Sequence, residues 1–360
     1  VKRALVFFLL ALVACKEHSP VEQVPDEGGV DAGVDANVPA GWRVVLGSLD
    51  GALLSIWGTS EHDIWSVGGS LGNGGDALVL RFDGTGWRHE KPGGKETYWW
   101  VHGSSATDVW LVGTNGRATH WDGTKFEERP TGTTATLFGV FAIAPNDVWT
   151  VGGTPEDPAQ AQDVVLHWDG AAWKPETLPE ATKVPFFKVW AASADDLYVV
   201  GDLGVIWHRK GGTWTREAKD LAAGRLTTVN GCDATHLYAV GSRNMLTSDG
   251  TTWQKANVDP LLIVNDVNGV ACAPAAAPDR GFGKVVAVGG GSLKLRLVGD
   301  KWVSDFGTEP YPDLHGAWID PTGALWGVGG NFNGSIVAGA SRGGVIARYS
   351  DDTVPTTLVP

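Results

Sequence analysis

The chain carries no clustered run of lysine and arginine: 28 basic residues are scattered against 41 acidic ones, for a formal charge of -13. A phosphate-binding surface needs concentrated positive charge, so a nucleic-acid partner is excluded, and the negative balance reads as a solubility device. Beyond the first fifteen residues no long apolar pattern has a helical period, which argues against a helix-built core. Closely spaced sets of His, Cys or carboxylates of the metal-site kind are missing. So is the Gly-x-Ser-x-Gly turn that exposes a nucleophilic serine. No metal and no cofactor are implied, and methionine (1) and tyrosine (5) are scarce.

What the sequence has in abundance is glycine, 50 residues, and tryptophan, 18, in a chain of 360. Many glycines with evenly scattered aromatics point to numerous short strands and tight turns. The length would hold two ordinary domains, or an array in which each repeat buries its faces on its neighbours.

The N-terminus reads as an address. Lys2 and Arg3 precede an apolar run, residues 4–14, that ends in Leu12-Val13-Ala14-Cys15. A short positive region, an apolar segment of this length and small residues before a cut site make a signal peptide, and the run is too short for a permanent membrane span. Leu12 to Cys15 resembles the lipobox of bacterial lipoproteins. That resemblance implies that Cys15 is lipidated and becomes the first residue of the mature protein, tethering it to a membrane of the cell envelope. Lys16 stands where an aspartate would resemble an inner-membrane retention signal, which points to the outer membrane. Residues 16–40, rich in Pro, Gly, Asp, Glu and Val, cannot bury enough surface to fold and form a tether reaching about 25–30 Å. Asp26, Asp31 and Asp35 lack EF-hand spacing and read as solvated linker.

From there the chain repeats. Asp108-Val109-Trp110-Leu111-Val112-Gly113 recurs as Asp147-Val148-Trp149-Thr150-Val151-Gly152, with weaker copies centred on Trp65, Tyr198, Tyr238, Val286 and Trp326. The Val-Gly pairs begin at residues 67, 112, 151, 200, 240, 288 and 328, a period of about 40–50 residues typical of propellers. A turn with an aromatic three residues after its Gly follows each of the first six, as in Asp83-Gly84 before Trp87 and Asp169-Gly170 before Trp173. Asp-Gly between apolar runs is a strong hairpin signal. The unit is four strands, A to D from the channel outwards; in the third repeat, residues 137–144, 148–151 and 164–168 are A, B and C, and Trp173 opens D. The seventh repeat lacks its last strand, and Trp42 supplies the missing aromatic. The expectation is an all-β, seven-bladed β-propeller of four-stranded blades over residues 41–352. An N-terminal strand completes the last blade and removes open edges, the signal occupies 1–15, the tether 16–40 and a tail 353–360. A monomer is the expected state.

The Asp249-Gly250-Thr251-Thr252-Trp253 turn resembles the Asp-box of sialidase-type propellers, and the order Val-Trp-x-Val-Gly, aromatic, Asp-Gly-x-x-Trp resembles the repeat of tectonin-type propeller lectins. These resemblances imply the fold, because both motifs are hairpin and packing devices. Lys210 and Val298 replace the Asp in blades four and six. An Asp-box sialidase also needs an arginine cluster, a Tyr–Glu pair and an acid, which five tyrosines in structural positions do not furnish. No catalytic residue is assigned.

A residue type that recurs in most blades reads as structural. Arg81, His120, His167, His208, Arg296 and Arg348 share one strand-C position and are expected to pack or hydrogen-bond on the blade face. Asp63, Asp108, Asp147 and Asp196 share a position before strand B and are expected to form turns. Trp57, His102, Phe141, Trp190, Asn230 and Trp318 share a strand-A site, where large side chains wedge between blades beside small followers. His102 and Asn230 are its polar exceptions and hence candidate ligand contacts. Cys232 and Cys272, near the ends of strand A in adjacent blades of an exported protein, are expected to form a disulfide.

Extra length falls in the B–C loops of blade one (70–76), three (154–163) and seven (331–344), and in the A–B loop of blade six (274–284). Loops elaborated on a rigid scaffold are where binding resides. A protein or polysaccharide partner is therefore expected at the B–C/D–A face, with Asn73, Asp76, Glu156, Asp157, Asn331 and Asn333 as candidate contacts. The function implied is a membrane-tethered binding module. The alternatives are a tectonin-like carbohydrate-binding lectin and a glycan hydrolase or lyase on the Asp-box scaffold.

Overall fold

The computed structural model describes residues 40–69, 76–157, 159–160, 162–305, 307, 309–310, 313–330 and 343–359. They form a seven-bladed β-propeller. Blade three has A at Thr136–Ala144, B at Asp147–Gly153, C at Val164–Trp168 and D at Trp173–Pro175, all antiparallel. Strand A of each blade touches strand A of the next, and that of blade seven, Leu314–Ile319, touches that of blade one, Leu53–Ser60. In blade seven the outer strand is Gly41–Leu49, which pairs antiparallel with Gly344–Ser350 and sets Trp42 opposite Tyr349. Two short parallel strands add to outer edges: Leu358–Val359 on Trp87–His89 of blade one, and Asn257–Val258 on Lys301–Ser304 of blade six.

The C–D turns show how the repeated Asp-Gly works. Gly84, Gly123, Gly170 and Gly250 take φ of +82 to +95°, which a side chain would resist. The aspartate does not share that conformation; its carboxylate accepts two backbone N–H groups instead. Asp249 Oδ1 takes those of Thr251 and Thr252 at 2.9 and 2.8 Å, and with the Thr251 hydroxyl they hold its carboxyl down at about 2. Strand D then delivers an aromatic to the blade interface. Trp87, Trp173, Trp214, Trp253 and Trp302 are all buried, each worth about 2–3 kcal/mol of burial.

Behind them stands a ladder repeated through five blades. The strand-C residue lies on the strand-B aromatic: His120 on Trp110, His167 on Trp149 and His208 on Tyr198, with centroids 4.5, 4.2 and 4.0 Å apart, and Arg81 on Trp65 and Arg348 on Trp326. These residues take the packing and hydrogen-bonding part expected of them. The aspartate before strand B does more than shape a turn. Asp108, Asp147 and Asp196 accept from the histidine Nε2 at 2.7–2.9 Å, Asp63 accepts from Arg81, and Asp108 and Asp147 also accept the indole N–H of the same strand. It is an anchor tying strand C to strand B.

On strand A the wedge is directional. The Trp57 ring of blade one lies over Gly103 of blade two, Trp190 of blade four over Gly231 of blade five, and Trp318 of blade seven over Gly58 of blade one. A Cβ on these glycines would sit 2.6, 2.6 and 2.8 Å from the indole. The small follower makes room for the preceding blade's ring.

Cys232 and Cys272 are bonded, with Cα atoms 5.2 Å apart and a sequence separation of 40. The bond joins blades five and six at the ends of their inner strands. Closing a loop of that length restricts the unfolded chain by about 3–4 kcal/mol. Cys232→Ser with Cys272→Ser is therefore expected to lower the unfolding free energy by up to that amount in guanidinium melts, leaving the circular dichroism of the folded protein unchanged.

Candidate functional site at the channel mouth

Strand A carries a β-bulge near its start in six blades. The register slips between Leu53 and Ser55, Tyr98 and Trp100, Leu137 and Gly139, Phe186 and Lys188, Val267 and Gly269, and Leu314 and Gly316. The extra residue in each makes no ladder pair. These extra residues are Leu54, Trp99, Phe138, Phe187, Asn268 and His315, and Thr227 occupies the same place in blade five. All seven line one cavity of about 350 Å³. Only the axis of the ring can bring all seven inner strands to one space, so this is the channel mouth. Thr114, Pro155 and Glu156, from the B–C segments of blades two and three, border it, which sets it on the B–C/D–A face.

The ring is divided by chemistry. From blade one to four it is apolar, and the rings of Trp99, Phe138 and Phe187 form a continuous arc with centroids 4.8 and 5.2 Å apart. The Arg225 guanidinium extends the arc, 4.7 Å over Phe187. From blade five to seven it is polar and used for stitching: Thr227 and Thr228 donate to the Asn268 carbonyl, Asn268 to that of Leu314 and His315 to that of Gly330. Burial holds His315 below its ordinary value and hence neutral. Lys188, next to the bulge of blade four, is buried with its amine over the Trp100 ring. Burial drives that amine well below the usual lysine range.

The candidate residues fall in different places. Glu156 lines the cavity and is its sole carboxylate among the described residues. Asp157 folds into its own loop, accepting the Ala159 N–H at 3.0 Å, and Asp76 is exposed at the edge of the blade-one loop. Asn73, Asn331, Asn333 and Cys15 lie outside the described residues. His102 and Asn230 sit in the wedge ring and bind the next blade: His102 Nδ1 accepts the Ala142 N–H at 3.1 Å, and Asn230 Nδ2 donates to the Val270 carbonyl at 3.1 Å. The aromatic arc, Lys188 and Arg225 were not singled out in the sequence. Aligning the repeats three residues before the wedge site would have found the arc, as a column whose residue changes from blade to blade. Among the described residues no cluster of His, Cys, Asp and Glu could hold a metal.

His102 is stacked on Phe141, centroids 4.2 Å apart, and loss of solvent holds its pKa down at about 3 against an ordinary 6.5. Below pH 6.5 the unfolded chain takes up a proton that the folded one refuses until near pH 3, so stability falls through that window. His102→Phe is expected to flatten that part of the acid limb in denaturant melts between pH 7 and 4; an unchanged slope would contradict the assignment.

No family model matches the chain, and no curated protein matches it. Solved structures do. YCF48 from Cyanidioschyzon merolae is 17% identical, with a TM-score of 0.62 covering 86% of this chain and 98% of that one. YCF48 bound to D1 peptide is 15% identical, with a TM-score of 0.62 covering 87% and 99%. A streptogramin B lyase is 12% identical, with a TM-score of 0.63 covering 86% and 97%. At such identities the likeness is one of fold, and the chain shares with these proteins the propeller architecture.

Proposed function

We propose that the chain is a non-enzymatic binding module, exported and held at the outer membrane by lipid on Cys15, whose partner is a protein segment seated at the channel mouth. The observation that carries the reading is the ring of bulge residues. Seven inner strands deliver six kinds of side chain into one cavity, with an aromatic arc on one side. A scaffold position under no ladder constraint, filled by large apolar groups facing a cavity, is what a binding site of this size requires. The structure of YCF48 bound to D1 peptide is a precedent for a peptide on this architecture.

The alternatives have less support. A lectin reading calls for equivalent tryptophans open to solvent, yet 13 of the 18 are buried and the other five are half-buried. Ordinary glycosidases use two carboxylates roughly 5–10 Å apart, and among the described residues Glu156 has no acidic companion lining the cavity.

A photo-crosslinking amino acid at position 156 is expected to yield a discrete adduct in cells, while one at position 122, in a C–D turn, yields none. Trp99→Ala with Phe138→Ala should reduce the adduct at least about tenfold, as loss of two buried aromatic contacts would. Equal labelling from both positions would count against docking at the mouth. For the anchor, cells fed a clickable fatty acid should label the full chain and release it only with detergent. Cys15→Ser should abolish the label, and a labelled variant would refute the assignment.

A further inference from the structure

The cavity at the channel mouth contains a lysine without an acidic partner. Lys188 is 5% exposed, and among the described residues no ion pair or hydrogen bond engages its amine; its neighbour is the face of Trp100. Taking an ammonium out of water costs several kcal/mol unless an opposite charge meets it, and a tryptophan face returns only about 2 kcal/mol. Arg225 lines the same space, its carboxylate neighbour Asp202 no closer than 4.0 Å. A protein of net charge -13 thus turns two basic side chains and one acid, Glu156, towards one cavity. Beside these side chains stands the arc of Trp99, Phe138 and Phe187.

We propose that the channel mouth captures the C-terminal end of a protein chain, its last side chain apolar and set against the aromatic arc, its terminal carboxylate paired with Lys188 and Arg225. A carboxylate beside the Lys188 amine favours its protonated form and pairs with it and with Arg225, which an amine or a neutral group cannot do. The volume, about 350 Å³, lies at the small end of ligand pockets and holds one or two residues, which suits a chain end better than a segment running through. Pairing with the carboxylate supplies the opposite charge that Lys188 lacks. This inference rests on the reading of the mouth as a protein-binding site.

The test is fluorescence anisotropy on the full chain with an N-terminally dye-labelled pentapeptide ending in phenylalanine, as free acid and as C-terminal amide. Further arms are the same peptide extended by two serines and free N-acetylphenylalanine as competitor. The free acid is expected to bind at least about tenfold tighter than the amide, the order of a charge-assisted contact. Lys188→Met should erase that preference while Trp99→Ala weakens both forms, and Arg225→Gln should weaken the acid alone. Equal binding of acid and amide, both lost in Trp99→Ala, would overturn the carboxylate rule and leave the mouth as a binding site. Tighter binding of the extended peptide would overturn the chain-end geometry. Saturation by N-acetylphenylalanine alone at the peptide's affinity would assign the site to a small molecule instead. Absence of binding by any arm, with position 156 still crosslinking in cells, would likewise refute the chain-end proposal without touching the face.

Discussion

A ring of blades has no common centre to collapse upon, so something must stop each blade from sliding over the next. Here an aromatic of one inner strand rests on the glycine of the following one: Trp318 on Gly58, Trp57 on Gly103, Trp190 on Gly231. Burial drives the contact, and the missing Cβ sets its depth. Strand-D aromatics such as Trp214 and Trp253 close the same interfaces further out. Where the wedge becomes polar, at His102 and Asn230, hydrogen bonds to Ala142 and Val270 of the neighbouring blade take over. Position along the axis, and hence the shape of the mouth, follows from these seams.

Within a blade the Asp–aromatic–His ladder does a different task. A buried indole stacked under an imidazole leaves polar edges to satisfy, and Asp108 and Asp147 take both. His208 is the tightest case, held between Asp196 and Glu217, whose charges raise its pKa against the opposing effect of burial. The same histidine, moved to a cleft with a hydroxyl beside it, would read as chemistry. Sandwiched between strands it is a strut.

The fold was legible because the repeats carry their own control: Val-Gly pairs, Asp-Gly turns and strand-D tryptophans recur at one spacing, and each has a local physical cause. The anchor role of Asp63, Asp108, Asp147 and Asp196 was not, since a carboxylate before a strand looks alike whether it binds its own turn or the histidine across the sheet. The site was legible only as a face. Glu156 was picked out by loop length, whereas Lys188 and the arc of Trp99, Phe138 and Phe187 lie on inner strands, where an apolar residue reads as core. What turns the three rings towards the cavity is a one-residue slip in register, and no composition or period announces a bulge.

That slip sets the inner strand two tasks and lets them be met separately. The residues on either side of each bulge hold the sheet through paired backbone groups, while the extra residue holds nothing in its own ladder. Where it is apolar and makes no hydrogen bond, as at Leu54, Phe138 and Phe187, its side chain can be exchanged with little consequence for the blade that carries it. Four such positions, Leu54, Trp99, Phe138 and Phe187, amount to an interchangeable set of fingers on a fixed hand, so related chains with the same ring could grip different partners by changing only these.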